Sequence, residues 1–138
     1  MAGILKGHAR NLMSEEVFPV TRDTPLSEVG RLLVLEGVSG VPVVDADERV
    51  VGFVSETDLL AALLRGAPAE IAASDVMSQP PIVVDEFMST DDVLGLLRQA
   101  SIHHLPVVRD GRLVGIITPH AILRYYVEQM LPPEPSRA

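Results

Sequence analysis

The sequence predicts an α+β fold in which one small unit occurs twice, and three observations carry that reading. Segments recur in register: Asn11-Leu12-Met13-Ser14 returns as Asp75-Val76-Met77-Ser78, and Val41-Pro42-Val43-Val44 returns as Leu105-Pro106-Val107-Val108, each 64 residues later. After one lost residue, Arg49-Val50-Val51-Gly52-Phe53-Val54-Ser55 aligns 63 residues on with Arg112-Leu113-Val114-Gly115-Ile116-Ile117-Thr118. A register held over this span with a single one-residue gap marks a tandem repeat. Finally, each copy mixes apolar stripes at helical spacing with short apolar runs bounded by turn residues, which gives helices beside β-hairpins.

The elements follow in order. Thr24-Pro25 is expected to open a helix, with the threonine capping it and the proline at the first helical position, where a missing N–H costs nothing. Leu26, Val29, Leu32 and Leu33 form the stripe, which stops near Gly37. Ser89-Thr90-Asp91-Asp92 starts the sister helix, carrying Val93, Leu96 and Leu97. Residues 40–44 and 50–54 read as strands joined by a turn at Asp45-Ala46-Asp47-Glu48, and the sister hairpin turns through Asp110-Gly111. A second helix follows in each copy, over residues 57–64 and 119–130, and short extended lead-ins lie at 17–20 and 82–84.

One such unit leaves a sheet face uncovered, so two copies packed sheet against sheet give a physical reason for the duplication. The expected division is a repeat over residues 10–66, a connector over 67–73, a repeat over 74–129 and a flexible tail over 130–138. The chain has 138 residues and a net charge of −8, from 19 acidic and 11 basic side chains. This balance counts against a broad nucleic-acid or anionic-membrane surface. No apolar run approaches the ~20 residues of a membrane span. With no cysteine there is no disulfide, thiolate metal site or cysteine nucleophile. Residues Met1 to His8 have no long apolar core of the kind a secretory signal needs, so the expected location is the cytoplasm.

Met-Ser near each start, the x-Pro-Val-Val strand, and Val-Gly-x-[Val/Ile]-[Ser/Thr] leading into a helix together resemble a pair of cystathionine β-synthase (CBS) domains, a Bateman module of the stand-alone bacterial type. The ordered set, present twice, covers the chain from Asn11 to Val127. The resemblance implies βαββα units related by pseudo-twofold symmetry, with a cleft between them that binds adenosine-containing ligands. It also implies a regulatory rather than catalytic role, and no obligatory cofactor. Consistent with that, the sequence holds no Gly-x-Ser-x-Gly, Gly-x-Gly-x-x-Gly, Walker lysine loop or His-Glu-x-x-His.

The most informative segment is Gly52-Phe53-Val54-Ser55-Glu56-Thr57-Asp58. Serine followed three residues later by an acid is a helix-capping arrangement and needs no ligand. Equally, a carboxylate offers two acceptors to the two hydroxyls of a ribose cis-diol. The resemblance assigns ribose to Asp58 and a ligand contact to Ser55. The second copy keeps the hydroxyl at Thr118 but has Ala121 where the acid belongs, which predicts one competent site and one weak, vacant or repurposed site.

The resemblance also implies that His103 reaches the ligand phosphate, favoured most when the ring is protonated. Its neighbour His104 would point to the opposite face if both lay in an extended segment. Val17, Val20, Val41 and Pro42 are candidate walls for the adenine in the first copy, and Ile82, Val84, Leu105 and Pro106 in the second, although core packing explains them as well.

The expected ligand is an adenine nucleotide, AMP, ADP or ATP. S-adenosylmethionine, NAD, a cyclic dinucleotide, or a purely structural module with empty clefts are the alternatives. Leu59, Leu60, Leu63, Leu64, Ile122, Leu123, Tyr125 and Tyr126 exceed what a small interior needs, so a homodimer is expected, along with a regulated protein the sequence does not name.

Overall fold

The computed structural model describes residues 6–99 and 101–134, so residues 135–138 of the expected tail lie outside the described residues. In chain order the elements are α1 (Ala9–Leu12), α2 (Leu26–Glu36), β1 (Gly40–Val44), β2 (Val50–Ser55), α3 (Glu56–Leu64) and a 3-10 turn (Ala73–Asp75). The second half continues with β3 (Val84–Asp85), α4 (Thr90–Leu97), β4 (Leu105–Arg109), β5 (Arg112–Ile117) and α5 (Pro119–Met130). This is the expected α+β order, repeated. Among the described residues no helix is long and apolar enough to cross a membrane.

Both hairpins form for local reasons. β1 pairs antiparallel with β2, and β4 with β5, and each ladder slips at the equivalent place, between Val43 and Val44 and between Val107 and Val108. The second turn places Asp110 and Gly111 at φ 50° and 81°, the left-handed pair that a two-residue hairpin loop requires. The first turn lacks glycine. There Asp45 Oδ1 accepts from the Asp47 and Arg49 N–H groups at 2.9 and 3.0 Å and ties the loop together. The lead-ins add a parallel edge: β3 runs beside β4, and Val20 bridges to Val43 in the matching position of the first copy.

The start of α2 differs from the sequence expectation. Pro25, not Thr24, is the N-cap, and the Thr24 hydroxyl accepts from the Thr21 N–H at 3.0 Å. The orphan N–H groups of this helix find other partners, Leu26 donating to the Ile71 carbonyl and Ser27 to that of Ala69. The connector therefore caps the helix with its own backbone. In the second copy Ser89 caps α4 through the Asp92 N–H, while Thr90 donates to the Gly7 carbonyl.

The two copies exchange their leading segments. Ser14 forms a two-way backbone bridge with Ile116, at 2.8 and 2.9 Å, and Ser78 forms its counterpart with Phe53, at 2.8 and 3.2 Å. Ala9 and Leu12 thus belong to the core of the second repeat with Val84, Val93, Leu105, Val107 and Ile117. Val76 and Met77 pack against that of the first, around Val29, Val41, Val43 and Val54. A methyl group at Gly52 would run into the Met77 Sδ, and one at Gly115 into the Met13 Sδ. The missing side chains are what let each methionine lie across the neighbouring strand. Each unit's core is completed by chain from the other, which fixes the two as one pseudo-twofold body.

Candidate functional site

β2 ends at Ser55, which is in extended backbone, and α3 begins at the next residue. Ser55 Oγ accepts from the Asp58 N–H at 3.1 Å, and Asp58 Oδ2 accepts from the Ser55 N–H at 2.9 Å. Two orphan donors are satisfied reciprocally, and the carboxylate is held in a fixed orientation at the helix N-terminus. The Glu56 N–H donates to the Ser39 carbonyl at 2.8 Å, anchoring the same turn to the loop before β1. The capping box uses only Oδ2, so Oδ1 stands outside it, and the Ser55 hydroxyl keeps its proton for another acceptor. Capping and ligand binding are compatible uses of one carboxylate.

Asp58 lines a cavity of about 310 Å³ built across the repeats. The first repeat contributes Phe53, Ser55, Thr57 and Asp58. The second contributes Ser78, Pro80, Pro81 and Ile82 from the segment before β3, residues 101–104 and Pro106. Its walls are apolar at Phe53, Ile82, Ile102 and Pro106 and carry hydroxyls at Ser78 and Ser101. A second cavity, of about 420 Å³, reverses the roles. Thr118, Ala121 and Ile116 of the second repeat face Ser14, Val17, Phe18 and Pro42 of the first. There Thr118 Oγ1 accepts from the Ala121 N–H at 3.1 Å, the same cap as at Ser55 but with no carboxylate to return.

The structure distributes the sequence-selected residues accordingly. Ser55, Asp58 and His103 line one cavity; Val17, Pro42 and Thr118 line the other, where His103 is also present. Val20 and Val41 line neither cavity and sit in the first core at 7% and 0% exposure. In the second copy Val84 and Leu105 are likewise core, whereas Ile82 and Pro106 form walls beside Asp58. The exchange of lead-ins is the reason: the Ser78–Phe53 bridge carries residues 80–82 across the end of β2, so the wall beside the first repeat's carboxylate comes from the second repeat.

His104, Phe53 and Ser39 are functional candidates that the sequence reasoning missed. Residues 101–104 precede β4 and are not strand, so strand alternation does not apply, and both histidines line both cavities. His104 Nε2 is hydrogen-bonded to Ser39 Oγ at 2.7 Å, and its ring lies 4.6 Å from that of Phe53 with the planes tilted by 33°. Burial holds the His104 imidazole below the usual histidine range, the neighbouring His103 adds to the depression, and the Asp58 carboxylate opposes it. Among the described residues no cluster of histidine and carboxylate side chains has the makings of a metal site.

The CBS domain model matches residues 9–65 and 73–128, nearly the whole chain. The chain belongs to the CBS-domain family. It is 31% identical over 140 residues to the chloroplastic CBS domain-containing protein CBSX1 of Arabidopsis thaliana, covering 80% of this chain and 59% of that protein. The crystal structure of CBSX2 in complex with AMP superimposes with a TM-score of 0.78 at 30% identity, covering 88% of this chain and 97% of that one. The CBS domain pair of protein MJ0100, in complex with 5′-methylthioadenosine and S-adenosyl-L-methionine, shares the fold with a TM-score of 0.79 at 22% identity, over 91% and 99% of the two chains. This CBS pair spans about half the length of curated relatives it matches, 46%, 39% and 56% in three of them.

Proposed function

We propose that this chain is a regulatory module that binds an adenine nucleotide in the cavity holding Asp58, and that it carries no catalytic activity of its own. The observation that carries the reading is the oriented Asp58 carboxylate, fixed by the Ser55 capping box at the edge of an apolar cavity, against Ala121 at the matching place. Asp58 receives the ribose diol, the Ser55 hydroxyl donates beside it, and the flat walls at Ile82 and Pro106 take the base. His103 meets the phosphate. AMP is the first ligand to try, because the CBSX2 structure holds it at 30% identity over most of this chain.

Binding regulates by favouring one relative arrangement of the repeats, or of two chains, over another, which requires that the ligand prefer one arrangement. A homodimer fits the apolar side chains left outside both cores: Val34, Leu35 and Leu64 are 82%, 79% and 87% exposed, and Leu60, Leu63 and Leu123 are exposed with them. Leu59 lies in the first core, and Ile122 and Tyr125 are half-buried against the second, so these three expected surface residues belong largely to the interior. A thermal-shift panel of AMP, ADP, ATP, NAD and S-adenosylmethionine tests the function. Stabilisation by an adenine nucleotide supports it; a larger shift by another adenosyl ligand replaces the ligand, and no shift by any compound leaves a structural module.

A further inference from the structure

The Thr118 cavity is more than a copy of the Asp58 cavity without its acid, because matched positions carry different chemistry. Where the Asp58 cavity has Thr57, Pro80 and Ile82, the Thr118 cavity has His120, Glu16 and Phe18. Ala121 stands at the place of Asp58, and Arg124 at the place of Ala61. Glu36, the last residue of α2, joins the same lining. These charges are sorted by repeat: the carboxylates of Glu16 and Glu36 come from the first, His120 and Arg124 from α5 of the second. Among the described residues the ion pair is that of Arg109 with Glu86, so neither cavity carboxylate is in salt-bridge contact with Arg124. Glu36 adds its charge to the negative end of the α2 dipole, no basic residue in the last turn offsets it, and the Gly37 cap lines the cavity beside it. One side of the cavity therefore favours a cation, while Arg124 and His120 offer donors to a carboxylate on the other. Between them lie the apolar walls of Val17, Phe18, Val38 and Ile116.

We propose that the Thr118 cavity is a second, separate ligand site that takes a free amino acid with a large apolar side chain. Its ammonium group faces Glu16 and Glu36, its carboxylate faces Arg124, and its side chain lies against Phe18. A volume of about 420 Å³ lies in the range of small-molecule sites. Opposite charges that line one cavity without pairing suit a ligand that carries both complements, and a zwitterion is the smallest such molecule. A ribose diol finds no carboxylate at Ala121, and a phosphate would meet the two glutamates. The duplication then serves two unlike ligands, one for each cavity. This assignment does not depend on the nucleotide reading of the Asp58 cavity.

The test follows backbone amide resonances of the intact chain by NMR while L-phenylalanine, L-leucine and L-methionine are each titrated to about 10 mM. At least one of them should bind with a dissociation constant of about 1 mM or tighter, shifting the amides of Phe18 and Thr118. The N-acetyl and the amide derivatives of that amino acid keep its apolar body and each lose one charge, so both should bind at least about tenfold more weakly. Arg124→Gln and Glu36→Gln alter exposed side chains and should weaken the parent amino acid by a similar factor, whereas Asp58→Asn should leave its binding unchanged. No saturable response to any of the three amino acids, derivatives that bind as tightly as the parent, or a response lost in Asp58→Asn would overturn the assignment.

Discussion

Replacing Asp58 by asparagine separates two roles that one carboxylate fills. In the native chain Oδ2 accepts from the Ser55 N–H at 2.9 Å and completes the capping box, leaving Oδ1 for a ligand. Asparagine keeps one carbonyl oxygen for the cap but replaces the second acceptor with an NH2 donor, and it carries no charge. Hydrogen bonds to a charged group are worth about 1.5–3 kcal/mol each. Losing one toward the ribose diol should weaken AMP binding by roughly 10- to 100-fold. The cap survives, so the melting temperature of the unliganded protein should stay close to that of the native chain. Alanine removes both roles: AMP binding falls at least as far, and the lost half of the capping box costs about 1 kcal/mol, or some 3–5 °C. Calorimetric titration with AMP and unliganded thermal melts read the two effects independently. Native AMP affinity in Asp58→Asn would refute the diol assignment, and an unchanged melt in Asp58→Ala would refute the capping role.

Other expectations follow from the same geometry. Ala121→Asp supplies the missing acid to a helix start already capped by Thr118, so adenosine should bind at two sites per chain rather than one by calorimetry. Gly52→Ala pushes a methyl group into Met77 where the exchanged lead-in crosses β2, and should cost about 1–3 kcal/mol, seen as a lowered denaturation midpoint. His104 has a folded pKa below its ordinary 6.5, chiefly through burial. The unfolded ring therefore binds more protons in the interval between the two values, so the stability this residue contributes is present above pH 6.5 and is lost as pH falls through the folded pKa. Melts across pH 5–8 should show a weaker acid loss in His104→Gln than in the native chain; equal slopes would contradict the assignment.

Much of this architecture is legible in the chain because its signals are local. The repeat, the Asp110-Gly111 turn, the stripe on α2 and the start of α5 at Pro119 each depend on residues a few positions apart. So does the contrast between Asp58 and Ala121, which needs only the internal alignment. What escapes is what depends on distant pairing. The bridges Ser14–Ile116 and Ser78–Phe53 join backbone groups, which any sequence possesses, so nothing in the residue types announces them. The small-against-large fit of Gly52 with Met77 and of Gly115 with Met13 is visible only once the partners are known. From that exchange follows the other surprise, that Ile82 and Pro106 rather than Val17 and Pro42 stand beside Asp58. The α2 cap was missed for a related reason: Thr24 has the right chemistry, but the connector's carbonyls reach the helix first.

The most direct measurement is a crystal structure of this chain grown with AMP. The account predicts a single AMP per chain, its ribose hydroxyls on the Asp58 carboxylate, its base against Ile82 and Pro106, and its phosphate at His103. A nucleotide whose sugar lies beside Thr118 and Ala121, or equal AMP density in both cavities, would contradict it.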